Sequence, residues 1–433
     1  MEWYFTILLL FGALSLLLVV GMPVAFSFML INIVGLVIVF GSQGLALIPA
    51  SAATSIATFS LTPLPMFILM GDILARSGIA RDMLDSVDKW IGRVPGRLSL
   101  ITVTGGGVFA AMSGSSLAST AVLGSVLGQE MGRRGYKPPM SIGPVLGAAA
   151  LSPLIPPSVL TILLAVQAKV DVGILLVMGL AAGLVMALVL AVYFVGRAIL
   201  QPHLAPAYDV PAVPLRDRIV ALRHFLVVLV LLGVVLGLIM TGTATPSESA
   251  ALGAVAAAII VVLYRRFTLD FVRDVIRSSA TTSGMILMIL VGSIAYSQLL
   301  AATGAGAGFV LWVESLPLEP RLTALALVGV VFILGLPMDA LSMILITVPL
   351  FMPAILALGL DPLWFCLLLL ICLEVSALTP PIGLQLYVLK GVMPHVSVAD
   401  IERASWPITF LFLLGILLFW LVPELGYLFV PST

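Results

Sequence analysis

Runs of roughly 20 apolar residues, separated by short polar or Pro/Gly-rich breaks, recur along the whole chain, which is the pattern of helices that cross a bilayer. The runs predict spans at about 3–20, 23–40, 58–76, 138–168, 172–196, 225–241, 246–264, 280–302, 361–390 and 405–427. One polar stretch has its own periodicity. Over 80–93, Met83, Leu84, Val87, Trp90 and Ile91 fall at helical spacing, with Asp82, Asp85, Asp88 and Lys89 opposite them. That pattern predicts an amphipathic helix lying at the membrane interface. A short outer helix containing Trp312, about 306–316, follows Gly304, Gly306 and Gly308 in the second half.

The stretch after the amphipathic helix has the wrong length for one crossing. Between Arg97 and Arg133 lie 35 residues whose only acid or base is Glu130. A turn at the polar midpoint Ser113-Gly114-Ser115-Ser116 leaves arms of about 15 residues, or roughly 22 Å of helix against roughly 30 Å of hydrocarbon. Such arms do not cross. The stretch 98–131 therefore reads as a re-entrant helical hairpin with its tip near mid-membrane, a backbone arrangement tolerated only where it is buried or lines a cavity. Basic residues on both flanks (Arg93, Arg97, Arg133, Arg134, Lys137) place both of its ends on the cytoplasmic side.

The same stretch lies over the second half without a gap for 61 positions when Arg97 is set on Arg321, a shift of 224. Gly135 and Pro138 meet Gly359 and Pro362, and Pro156-Pro157 meets Pro380-Pro381. The copy, about 321–353, carries Pro337-Met338-Asp339 at its tip and has lost the basic loop, so it opens to the other side. Five spans and a hairpin occur twice. Because five is odd, the second copy starts on the opposite side, which agrees with the charge pattern. The chain is thus expected to be an all-α polytopic membrane protein of two inverted repeats, 1–196 and 225–433, joined by a cytoplasmic linker at 197–224. Both termini are expected on the outer face.

Composition removes other classes. Hydrophobic residues make up 61% of the 433 residues and charged ones 9%, leaving no soluble domain. Net charge is zero, so nucleic acid is not indicated as a partner. Cys366 and Cys372 share one apolar run and suggest neither a disulfide framework nor a metal set. Met1 to Val20 carries Glu2 and no Lys or Arg, and reads as the first span rather than a signal peptide.

Spans 138–168 and 361–390 are interrupted by Leu151-Ser-Pro-Leu-Ile-Pro-Pro-Ser158 and Ala377-Leu-Thr-Pro-Pro-Ile-Gly383, where prolines remove backbone donors and break the helix. Two hairpin tips and two broken helices, one pair per half, form the repeat-interface arrangement of secondary transporters. Helix N-termini suit anions there; unwound carbonyls and hydroxyls suit Na⁺. The expected Na⁺ ligands are Ser113, Gly114, Ser115 and Ser152 with Pro337, Asp339, Thr379 and Pro380. Ser116, Ser158, Ser342 and Gln385 are the expected substrate contacts. Asp339 is the single ionisable side chain inside the second hairpin, and an intramembrane acid points to function. Each Ser, Gly or Pro alone is also a packing device; their matched clustering is what points to a site. Glu374 reads equally as a site acid and as a structural carboxyl. No His lies at mid-membrane, which argues against an intramembrane enzyme.

At these motifs the chain resembles the large membrane subunit, DctM type, of the tripartite ATP-independent periplasmic (TRAP) transporters. The resemblance rests on Phe109-Ala-Ala-Met-Ser-Gly-Ser-Ser116, Met131-Gly-Arg-Arg-Gly-Tyr136, Gly147 through Pro153-Leu-Ile-Pro-Pro-Ser158, and Leu378-Thr-Pro-Pro-Ile-Gly383, and runs nearly end to end. It implies a Na⁺-driven importer of organic acids in the bacterial inner membrane, with no organic cofactor and an elevator-type motion. A small four-helix DctQ-type subunit and a periplasmic DctP-type binding protein are implied as partners. Gln129, Lys137, Ser152 and Gln385 depart from the residues usual in the family. A stand-alone Na⁺/dicarboxylate carrier of the same superfamily is the alternative.

Overall fold

The computed structural model describes residues 2–46, 61–91, 94–206 and 214–430, together with positions 49 and 53. Among these residues the regular structure is helical throughout. In chain order the helices are α1 (Trp3–Val19), α2 (Val24–Phe40), α3 (Pro63–Arg76), α4 (Ile79–Trp90), α5 (Arg97–Ser113) and α6 (Ser116–Leu123). A π-helical turn, Gly124–Gly128, carries α6 into α7 (Gln129–Arg133). Then come α8 (Pro138–Ser141), α9 (Gly143–Ala149), α10 (Val159–Ala168), α11 (Val172–Leu200), α12 (Leu215–Met240), α13 (Pro246–Leu263) and α14 (Leu269–Ala302). The last six are α15 (Ala305–Glu314), α16 (Pro320–Gly335), α17 (Ala340–Ala357), α18 (Pro362–Leu378), α19 (Leu384–Val392) and α20 (Val398–Leu421).

Proline sets many of these starts. Pro63, Pro138, Pro246, Pro320 and Pro362 lie in first turns, where the missing N–H has no helical acceptor to lose. Six helices are long and apolar enough to cross a membrane, counted among the described residues. Leu8, Leu16, Ile38, Leu188, Val192, Ile259 and Leu263 are exposed on their outer faces, as a protein surrounded by lipid requires. The chain is therefore a polytopic helical membrane protein.

The expected elements are present among the described residues, with longer helices in four places, one of them α20, which starts at Val398 rather than 405. Helix α12 begins ten residues before the apolar run at 225, α14 begins at Leu269 rather than 280, and α11 continues to Leu200. Apolar runs mark only the part of a helix inside the hydrocarbon, while backbone hydrogen bonding continues into the polar zone where Arg216, Arg218, Arg223 and Arg273 sit. The N-terminal part of the span expected at 58–76 and the end of the helix expected at 80–93 fall outside the described residues.

The helices pair across the two halves. Helix α2 packs on α14 and α3 packs on α13; α4 packs on α12 while α15 packs on α1; α11 packs on α18 while α20 packs on α9. Helix α4 is fastened to this frame by Arg266, whose guanidinium lies 2.8 Å from Asp82 and donates to Ser77 O at 3.1 Å. Trp90 Nε1 fixes its other end by donating to Arg218 O at 2.9 Å.

Candidate functional site

Each hairpin tip is a helix C-terminus followed at once by a capped N-terminus. Helix α5 ends on Gly114 with φ +62°, a left-handed turn that an L side chain rarely adopts. Ser115 then caps α6, accepting from Ala118 N at 3.3 Å. In the second hairpin Asp339 caps α17, accepting from Ser342 N at 3.1 Å and from the Ser342 hydroxyl. The broken spans repeat the device once: Ser158 caps α10 through Thr161 N at 3.2 Å, whereas α19 starts from Gly383 without a side-chain cap. Both prolyl bonds in the breaks, Pro156-Pro157 and Pro380-Pro381, are cis.

The halves interlock at this level. Helix α6 packs on α19, the second piece of one broken span, and α10, the second piece of the other, packs on α17. Gly124, just past α6, lies close against α19, since a Cβ there would lie 2.6 Å from Leu389 Cδ1 and 3.0 Å from Val392 Cγ2. The result is a cavity of about 450 Å³ lined by Ser113–Ala118, by Val159 and Leu160, by Asp339–Leu341, and by Ala377 and Leu384. The first turns of α6, α10, α17 and α19 therefore all face one space. Aligned peptide dipoles give each helix N-terminus a partial positive charge, and four of them favour an anion without a basic side chain. The ionisable lining residues are Asp339 and Asp72.

Among the expected site residues, Ser113, Gly114, Ser115, Ser116 and Asp339 line the cavity directly. The others are not in its lining. Ser152 is buried and donates to Ala110 O at 2.7 Å, and Thr379 donates to Val375 O at 2.5 Å, so each hydroxyl oxygen keeps its lone pairs for an ion. Ser158 and Ser342 are buried at the starts of α10 and α17, and Pro380 is buried while Pro337 is exposed. Gln385 is buried and donates from Nε2 to Glu374 Oε2 at 2.8 Å.

Asp72 was not singled out by the sequence reading. It stands on α3 facing the cavity, accepts from Ser279 Oγ at 2.8 Å and lies 3.9 Å from Arg76 Nε. The rule that points to Asp339 applies to it equally, since it is an acid inside a predicted span.

The cavity meets the long helix α14 at Thr282, Met285 and Ile286. A second opening, a crevice of about 820 Å³, meets the same helix at Leu290, Ile294, Ser297, Gln298 and Ala301, and its other walls include Ala165–Gln167, Lys169–Val172 and Thr245–Ser247. At the crevice the two walls are tied together: Gln167 Nε2 donates to Ser293 Oγ at 2.7 Å, and Ser293 donates to Leu345 O at 2.8 Å.

Known proteins are similar to this chain in sequence or in fold. The family model described as "Tripartite ATP-independent periplasmic transporter, DctM component" matches residues 11–425. The C4-dicarboxylate TRAP transporter large permease protein DctM of Pseudomonas aeruginosa is 31% identical over 371 residues, 85% of each chain. The protein of the same description from Rhodobacter capsulatus is 31% identical over 417 residues, 92% of this chain and 93% of its own. Among solved structures, the YdaH transporter of Alcanivorax borkumensis superposes with a TM-score of 0.66 over 91% of each chain at 16% identity, a likeness of fold.

Proposed function

We propose, starting from the fact that this chain belongs to the DctM family of tripartite ATP-independent periplasmic transporters and is a large permease subunit for organic acids, that it carries a carboxylate substrate inward on a sodium gradient by an elevator motion. The convergence of four helix N-termini on a cavity whose ionisable side chains are both acids carries this reading. The termini hold the carboxylate; Asp339, with the hydroxyls and carbonyls of the two tips and breaks, holds Na⁺, which offsets the acid and completes the anion site. Loading of one then favours loading of the other. Ser113, Gly114, Ser115 and Ser152 serve the ion in one half, and Pro337, Asp339, Thr379 and Pro380 in the other. Ser116, Ser158, Ser342 and Gln385 position the substrate.

The moving unit in this proposal comprises the hairpins α5–α7 and α16–α17 with the broken spans α8–α10 and α18–α19. Helices α1, α2, α12 and α13, together with α3 and α14, form the scaffold, and α4 and α15 link the two. Repeats 1–196 and 225–433 are inverted, the linker 197–224 is cytoplasmic, and both termini face the periplasm from the inner membrane. The cavity then lies beside the cytoplasmic part of α14 and the crevice beside its outer part, as in a carrier resting inward. A DctQ-type four-helix subunit extends the scaffold, and a DctP-type binding protein delivers substrate at the crevice. The C4-dicarboxylates named for the two relatives make succinate the first substrate to try.

The experiment is uptake into proteoliposomes holding this chain with its small subunit and binding protein. Uptake should require an inward Na⁺ gradient. Ser115→Ala and Thr379→Ala should each raise the Na⁺ concentration for half-maximal uptake about tenfold, the scale of one lost hydrogen-bond-strength ligand, whereas Ser15→Ala should not. Uptake that proceeds equally in K⁺ excludes sodium coupling, and uptake that ignores the binding protein favours the stand-alone carrier.

A further inference from the structure

Glu374 joins the tip region of the first hairpin to both pieces of the second broken span. It sits on α18 with no exposure to solvent. Ser116 Oγ, on the first residue of α6, donates to its Oε1 at 3.2 Å. Gln385 Nε2, on the second residue of α19, donates to its Oε2 at 2.8 Å. Three segments separated in sequence thus meet at one side chain. Directly in front of it is the cavity wall, since Ser116, Ala377 and Leu384 line the cavity and are respectively its partner, its neighbour one turn along α18, and the residue preceding its second partner. Gln385 Oε1 is buried with no hydrogen-bond partner.

We infer that Glu374 is a positioning residue for the substrate site: it holds Ser116 and the N-terminus of α19 at a fixed separation, and so sets the width of the cavity between the two halves. The inference deepens the function proposed above and rests on it. A buried hydrogen bond to a carboxylate is strong because its loss leaves the other partner without water to replace it. Removing the carboxyl frees two groups at once, the Ser116 hydroxyl and the Gln385 amide, and the two helix N-termini that face the carboxylate lose their register. A misplacement of that kind weakens binding without removing any atom that touches the substrate.

The amide variant separates positioning from charge. In Glu374→Gln the new carbonyl accepts from Ser116, and the new NH₂ donates to Gln385 Oε1 once that amide turns over, which also satisfies the orphaned oxygen. In Glu374→Ala neither link survives. Initial rates of uptake of a graded series of dicarboxylates, succinate to adipate, should show KM raised about 10- to 100-fold for Glu374→Ala, the range for leaving a buried hydrogen-bonding partner unsatisfied, with kcat little changed and preference between chain lengths flattened. Glu374→Gln should stay within about threefold of wild type, and Ser116→Ala combined with Glu374→Ala should cost less than the two separately. A wild-type KM and selectivity in Glu374→Ala would overturn the inference, as would a Glu374→Gln variant as defective as the alanine, which would mean that the charge itself is used. Additive costs would overturn the link to Ser116. Failure of the wild-type protein to transport any member of the series would instead count against the proposed function.

Discussion

Cross-linking Gln167→Cys to Ser297→Cys with a short, reducible bis-thiosulfonate reagent is expected to bring uptake to the level of empty vesicles, and reduction is expected to restore it. The two positions line opposite walls of the crevice, one at the end of α10 and the other on α14. If α10 belongs to a rigid unit that slides past α14, a covalent tie between them stops every cycle at one stage. Each single cysteine variant should keep working after the same treatment, and the native thiols add no background because Cys366 and Cys372 are buried. Retained uptake in a sample that mass spectrometry shows to be fully cross-linked would mean that the two walls do not move apart during transport.

The second large effect concerns Asp339, and two substitutions divide its roles. As the cap of α17 its carboxylate accepts from Ser342, and replacing it by alanine should lower stability by about 1 kcal/mol. Asparagine caps a helix about as well, so Asp339→Asn should melt within about 0.5 kcal/mol of wild type. Uptake should nevertheless fall roughly 100-fold in both variants, the loss expected when a charge-assisted contact is removed, because a neutral amide offers Na⁺ one oxygen without the charge. Thermal unfolding measured beside uptake reads both quantities. Transport near wild type in Asp339→Asn would reduce Asp339 to a structural cap and move the cation site elsewhere, with Asp72 the next acid to test.

Much of this arrangement is legible in residues, and the reasons differ by element. The first hairpin shows in sequence because 35 residues between basic flanks fit neither one crossing nor two, and its turn falls on Gly114, where the backbone needs φ +62°. The breaks show because Pro-Pro cannot continue a helix. What a one-dimensional shift of 224 cannot supply is docking: that α6 rests on α19 and α10 on α17 depends on close approaches such as Gly124 against Leu389. Those contacts decide that Ser116 and Gln385 share Glu374, two links between residues 258 and 11 positions apart. Asp72 escaped notice because its distance from the site along the chain hid its place in the cavity wall. The helix extensions beyond 225 and 280 escaped it because hydropathy reports the solvent around a helix rather than the hydrogen bonds within it.

The central claim, that the cavity travels relative to the scaffold, has a direct test in the distance between spin labels at Lys169→Cys and Thr243→Cys. Position 169 lies at the crevice end of α10, and 243 lies in the exposed turn between α12 and α13. The central contacts of α14 with the cavity and with the crevice, Met285 and Ser297, lie 12 residues apart, about 18 Å along the helix axis. Sliding through that range should give two distance populations differing by on the order of 10 Å, whose ratio changes when Na⁺ and a carboxylate substrate are added together. A single, unchanging distance under every combination of ion, substrate and binding protein, in a sample that still transports, would contradict the sliding mechanism.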